Sequence, residues 1–256
     1  MTARTFDAAG IRAIVVDNLA KGSLSLEAGP LEDVVEGTVS AAADLLDQTS
    51  VRHEADTLRI WFPEQTFQGQ TAHIRIGVPA GTTLTARTGS ADITATVPLG
   101  RCRLATGSGD ISLTGSEDLD VTTGSGSVSV GRLTGSSARL TSGSGDIVVG
   151  EAHCPVAAKS GSGDLLVRSL QAAELRASSG SGDISVPGAR GSIDLRSASG
   201  SLTIGIADGL TAWLDLSSVS GAVRVAMDAC NAPADGEPYV NVRARTASGE
   251  IAVYRA

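Results

Sequence analysis

Aromatic rings, cysteine, proline and lysine are all scarce in this chain, and each shortage excludes a class of protein. Aromatic residues are 3% of 256 positions. Trp61, Phe62 and Phe67 come early, Trp213 and Tyr239 late, and Tyr254 near the end. They form no ladder of platforms along which a polysaccharide could be cleaved, and the expectation is that they plug the ends of the fold. The three cysteines, Cys102, Cys154 and Cys230, make no CxxC and are an odd set, which argues against a disulfide framework. Cys102 reads as core, whereas the adjacent His153 and Cys154 offer the one pairing that could activate a thiol. The only other histidines, His53 and His73, have no metal-ligand spacing and read as strand or loop surface.

Charge is short of one sign as well. The net charge is −8 with no basic run, so bulk electrostatic binding to nucleic acid or anionic lipid is excluded. No stretch reaches the ~18 apolar residues of a membrane span. The opening MTARTFDAAGIRAIVV lacks an apolar core followed by a small-residue cleavage site. The expected location is therefore cytoplasmic, with at most peripheral association with the envelope.

What is abundant is glycine, 31 residues beside 8 prolines, among many Val, Ile and Leu. That mixture points to tight corners between strands and not to disorder. The glycines recur in Ser-Gly-Ser-Gly-Asp corners such as TGSGDISL from Thr106 and KSGSGDLLV from Lys159. Aligned on the residue before the Asp, nine copies fall at Ala91, Gly109, Gly126, Gly145, Gly163, Gly182, Gly200, Gly221 and Gly249, spaced 18, 17, 19, 18, 19, 18, 21 and 28 apart. Two and four residues after each marker stand apolar columns, such as Ile147, Leu165 and Ile184 beside Val149, Val167 and Val186. Seven and five residues before it stand two more, such as Val156, Leu175 and Ile193 beside Ala158, Ala177 and Leu195.

Apolar residues two apart are one face of a strand. Each unit is strand, corner, strand and loop, and stacking buries what no unit buries alone. The prediction is an all-β, single-stranded parallel β-solenoid (β-helix) with about 18 residues per rung and one short N-terminal helix within residues 40–48. One domain over 1–256 is expected. Residues 1–80 would be irregular rungs and cap, 81–225 regular rungs, and 226–256 a long loop and a last rung with a free edge. Outward residues six before the marker (Arg103, Asp120, Arg139, Ala157, Arg176, Asp194, Asp215, Arg243) mostly alternate in sign between adjacent rungs, a pattern expected to pin the rung register.

The corner admits several chemistries. A phosphate cradle would need GxxxxGK, or GxGxxG opening a helix, and neither occurs. A nucleophile elbow would need GxSxG, also absent. Calcium is the alternative with most support. Asp92, Asp110, Asp146, Asp164 and Asp183 share a column, and Asp146, Asp164 and Asp183 lie on consecutive rungs. Like charges so close repel by about 1 kcal/mol in water. Yet the nonapeptide calcium repeat is absent, and Ser127, Ser201 and Ala222 interrupt the column. The favoured reading is structural, with no metal and no cofactor. The hydroxyls bond backbone where strand pairing breaks, and glycine supplies backbone angles closed to other residues. Ice binding is disfavoured because the hydroxyls flank a corner.

These TGSGDI corners, following IRIGVPAGTTLTARTGSADI, resemble the bacterial "putative adhesin", toastrack-like β-strand-repeat family, a domain family of unknown function, over roughly residues 10–256. The resemblance implies the solenoid fold and an adhesin-like role. Some relatives are joined to membrane segments and appear with envelope-stress regulators. The expectation is a non-enzymatic scaffold or binding module, adhesin-like and linked to envelope processes or self-assembly. Its partners would be a protein, a second copy met through its ends or loops, or a glycan, with no nucleic acid and no membrane insertion. The alternatives are a polysaccharide-active β-helix enzyme, with acids beside Trp213 or Tyr239, and a calcium-stabilised adhesin.

Overall fold

The computed structural model describes residues 1–29, 34–63, 69–171, 174–228 and 239–256. Phe67, Cys230 and most of the 226–239 loop lie outside the described residues. The chain is almost wholly β with one short helix, and it divides into two compact units, Met1–Val130 and Gly131–Ala256.

The first unit contains, in chain order, β1 (Thr2–Ala9), β2 (Ala13–Leu19), β3 (Gly22–Ala28), β4 (Val34–Ala41), α1 (Ala43–Gln48), β5 (Ser50–Glu54), β6 (Thr57–Trp61), β7 (Ala72–Val78), β8 (Thr83–Thr88), β9 (Asp92–Ala95), β10 (Cys102–Thr106), β11 (Ile111–Ser116) and β12 (Leu119–Thr123). A further strand, β13 (Val128–Leu133), runs on into the second unit. Each rung gives one strand to each of two parallel sheets. Register follows the periodicity: Cys102 lies between Leu84 and Leu119, and Leu104 between Ala86 and Val121. The early strands close the unit with antiparallel pairs, β4 between β1 and β7, and β5 on β6. Leu45 and Leu46 of α1 are buried, and the helix packs on β1 and β4.

The second unit contains β14 (Ala138–Ser142), β15 (Ile147–Ala152), β16 (Val156–Ser160), β17 (Leu165–Leu170), β18 (Glu174–Ser179), β19 (Ile184–Ala189), β20 (Ser192–Ser197), β21 (Leu202–Ile206), β22 (Thr211–Ser218), β23 (Val223–Ala226), β24 (Tyr239–Thr246) and β25 (Ile251–Arg255). Ala138, Val156, Leu175, Ile193, Val242 and Leu214 form one inward column. Ile147, Leu165, Ile184, Leu202, Ile251 and Val223 form another. Each fully buried Val, Leu or Ile contributes about 1.5–3 kcal/mol, so the columns hold the rungs together.

The order of the rungs departs from the sequence. The last rung of the chain, β24/β25, sits between β20/β21 and β22/β23, paired on both sides. The expectation that the final strand has a free edge is therefore corrected: that edge belongs to β22/β23. The first unit does the same at its start, where β2/β3 lies between β6/β7 and β8/β9. In each unit the rung nearest the chain terminus is inserted one place inboard.

Candidate functional site

The hydroxyl three before each marker accepts a hydrogen bond from the marker's own amide. Thr106 Oγ1 accepts from Gly109 N at 3.0 Å, Ser142 Oγ from Gly145 N at 2.8 Å and Ser160 Oγ from Gly163 N at 2.8 Å. Five more corners repeat this bond at 2.8–3.1 Å. The exception is the first corner, where Thr88 Oγ1 donates to the carbonyl of Ala91. Among the described residues no buried side-chain polar atom is left without a partner.

Glycine is needed for a different reason from the one expected. No corner glycine has positive φ. A Cβ on Gly163 would instead overlap the carbonyl oxygen of Gly145 one rung below, and one on Gly182 the carbonyl of Gly163. At these marker positions the rungs stack too closely for a Cβ.

The aspartates cap the next rung. Asp146 Oδ1 accepts from Asp164 N at 2.9 Å, Asp164 Oδ1 from Asp183 N at 2.8 Å, and Asp183 Oδ1 from Ser201 N at 2.7 Å. In the first unit Asp92 and Asp110 do the same for Asp110 N and Ser127 N. A charge-assisted bond to an amide gives each carboxylate a structural task. Among the described residues no group of three or more His, Cys, Asp or Glu is arranged to hold a metal ion.

The remaining candidates are dispersed. Cys154 is buried and His153 pairs with Glu151 at 3.3 Å, so the adjacent residues do not make an exposed thiol. Burial pushes the Cys102 thiol up to about 11. His53 bonds the Ala55 carbonyl and His73 the Ser23 hydroxyl, both on the surface. Of the aromatics, Phe62 is buried, but Trp213 is 58% and Tyr239 51% exposed. These two plug nothing and point outward.

They point outward on a sheet face that sequence reading missed. In the second unit one sheet runs β14-β16-β18-β20-β24-β22. Across its outer face lies an open groove of about 680 Å³, lined by Arg139, Lys159, Arg176, Arg196 and Arg243 against only two carboxylates, Glu174 and Asp194. Arg176 binds Glu174 at 2.8 Å and Arg196 binds Asp194 at 3.0 Å, each within its own strand. Among the described residues only Arg243–Asp215, at 3.1 Å, forms an ion pair within this column between rungs. The hydrogen bond from Arg243 chiefly, and Arg245 with it, hold the Asp215 carboxyl below its ordinary value against partial desolvation. Arg139 and Lys159 have no carboxylate partner among the described residues. The missed signal is the column four before the marker, where Lys159, Arg196 and Arg245 add to Arg139, Arg176 and Arg243. An overall charge of −8 concealed a cationic face.

Among the described residues no helix is long and apolar enough to cross a membrane. No curated protein matches the chain. A "putative lipid binding protein" from Parabacteroides distasonis superposes with a TM-score of 0.61 at 16% identity, over 98% of this chain and 96% of its own. A "putative adhesin" from the same organism gives 0.59 at 11%, over 98% and 96%. Another "putative adhesin", from Parabacteroides merdae, gives 0.56 at 11%, over 98% and 95%. Identities this low carry the fold alone. The family match does more: it runs from residue 38 to residue 254, with the repeated corners inside it, and the chain belongs to the Toastrack DUF4097 family.

Proposed function

We propose that this Toastrack chain is a non-enzymatic, adhesin-like scaffold that associates with a second copy of itself through the β22/β23 rung. The single observation that carries this is the state of that rung. Leu214, Leu216, Val223 and Val225 continue the inward columns, yet among the described residues nothing pairs with their outer side. Val223 and Val225 are each 46% exposed and neighbouring Val219 is 85% exposed. An edge of this kind is a template for another strand.

The occupant must offer apolar residues two apart on two strands at the same separation, and a second β22/β23 rung does so by construction. The outer strands of the first unit are poor counterparts. β1 is exposed along most of its length, and β5 exposes the polar and charged Arg52, His53 and Glu54, the blunting devices of protected edges. The reading is thus a closed, two-fold pair and not an open filament.

Light-scattering mass tests it. The wild-type chain should give two copies, and Val225→Glu should give one with unchanged circular dichroism. A wild-type chain that stays single across the accessible concentration range overturns the proposal.

A further inference from the structure

We infer that the cationic groove on the outer face of the β14-β16-β18-β20-β24-β22 sheet is a binding site for a linear acidic polysaccharide, a uronate- or sulfate-bearing chain, with Trp213 as its stacking platform. The inference is independent of self-association, which uses the inward columns of β22/β23.

The groove's direction gives the ligand's shape. Its walls come from β14, β16, β18, β20 and β24, five strands in succession. It therefore runs across the strands for roughly 19 Å, four spacings of ~4.8 Å. A site of that form takes an extended chain and not a compact metabolite. Trp213 extends the same line onto a sixth strand: it stands in register with Asn241, which lines the groove, and the residue is 58% exposed.

The lining chemistry gives the ligand's class. Arg139 and Lys159, on neighbouring strands, are cations with no carboxylate partner among the described residues, the arrangement that receives carboxylate or sulfate. Glu174 and Asp194 also face the groove, together with Ser178 and Ser192. Beyond their bonds to Arg176 and Arg196 these carboxylates keep acceptor oxygens that a ligand's donors can use, and sugar hydroxyls supply such donors. A phosphodiester backbone supplies almost none and leaves those oxygens and the serines unmatched. An indole offers a broad apolar face to the C–H side of a pyranose ring. Anionic groups, hydroxyl donors and apolar ring faces occur together in an acidic polysaccharide.

The test titrates the purified chain with polygalacturonate, dextran sulfate, neutral dextran and polyphosphate, following indole fluorescence and calorimetric heat. Either or both acidic polysaccharides should bind, with affinity falling as salt rises. The double variant Arg139→Gln/Lys159→Gln should weaken binding about tenfold or more and flatten the salt dependence. Trp213→Ala should weaken it several-fold and leave the salt dependence intact. The double variant Arg101→Gln/Arg103→Gln, an equal charge change on the first unit's outer face, should alter nothing. Repeating the titration in Val225→Glu separates groove binding from association. The inference is overturned if neither acidic polysaccharide binds, if polyphosphate binds as tightly as they do, or if the double variant binds like wild type.

Discussion

Two serines flank the glycine in the corner KSGSGD, and chemistry alone gives no reason to rank them. The structure does. Ser160 is buried and its Oγ accepts the Gly163 amide at 2.8 Å, while Ser162 is exposed. Ser160→Ala removes that acceptor and leaves the Gly163 N–H buried with nothing to bind. An orphaned buried donor costs about 1–3 kcal/mol. The second contact of the hydroxyl, to the Gly145 carbonyl at 3.4 Å, is long and adds little. For a chain of this size each kcal/mol lowers Tm by roughly 2–4 °C. Ser162→Ala should stay within about 0.5 kcal/mol of wild type. Ser160→Thr should be close to neutral, because threonine fills the same position at Thr106, Thr123 and Thr246.

Urea unfolding of the three variants gives the energies. Amide hydrogen exchange gives a local readout, since the Gly163 amide should lose protection in Ser160→Ala and keep it in the other two. If Ser160→Ala and Ser162→Ala are equally mild, or if exchange at Gly163 does not change, the claim that the hydroxyl ladder exists to satisfy corner amides is wrong.

Two further predictions follow from the same geometry. The unfolded Cys102 thiol ionises near 9.0 and the folded one near 11, so unfolding releases a proton between those values and stability falls as pH rises through them. The loss should reach about 2–3 kcal/mol, measured by urea unfolding from pH 8 to 11, and it should vanish in Cys102→Ala; an unchanged alkaline limb in that variant contradicts the assignment. At the aspartate ladder, Asp164→Asn keeps an acceptor for the Asp183 amide and should be nearly neutral, whereas Asp164→Ala should cost about 0.5–1.5 kcal/mol. Neither calcium nor a chelator should move the Tm of the wild-type chain, and a calcium-dependent rise would return the column to the list of metal sites.

The inward columns were legible because burial leaves a period-2 record in every rung. Ile147, Leu165 and Ile184 could be aligned before any coordinates and they pair in that register. The reason for the corner glycines was not legible, because intolerance of a Cβ and demand for positive φ select the same residue. Only the approach of Gly163 to the Gly145 carbonyl separates them. The cationic groove was obscured for another reason. Its cations come from five strands and two outward columns, and charges read along one column cannot show which neighbours already neutralise each other. Arg176 and Asp194 stand opposite one another in register, yet each finds its partner two residues away on its own strand.

Rung order is the least legible feature, because every rung presents the same columns and register alone does not say which rung stacks on which. Connection length permits a skip without dictating one. Arg190 and Gly191 alone join β19 to β20, which leaves no slack to pass beyond the next rung, whereas six residues join β9 to β10, which still stacks on β8. The link from β21 to β22 has four residues, Ala207 to Leu210. At ~3.3 Å per extended residue it can span the ~10 Å of two rung spacings. Here the chain skips a place with β22/β23, and β24/β25 fills the gap. The spacing in the sequence is 21 at this point, against 17 to 19 before it. Its energetic sense lies in the burial. β24 alternates buried and exposed residues along its whole length, while no residue of β22 is fully buried. The β24/β25 rung gains pairing on both sides, and the apolar edge passes to β22/β23.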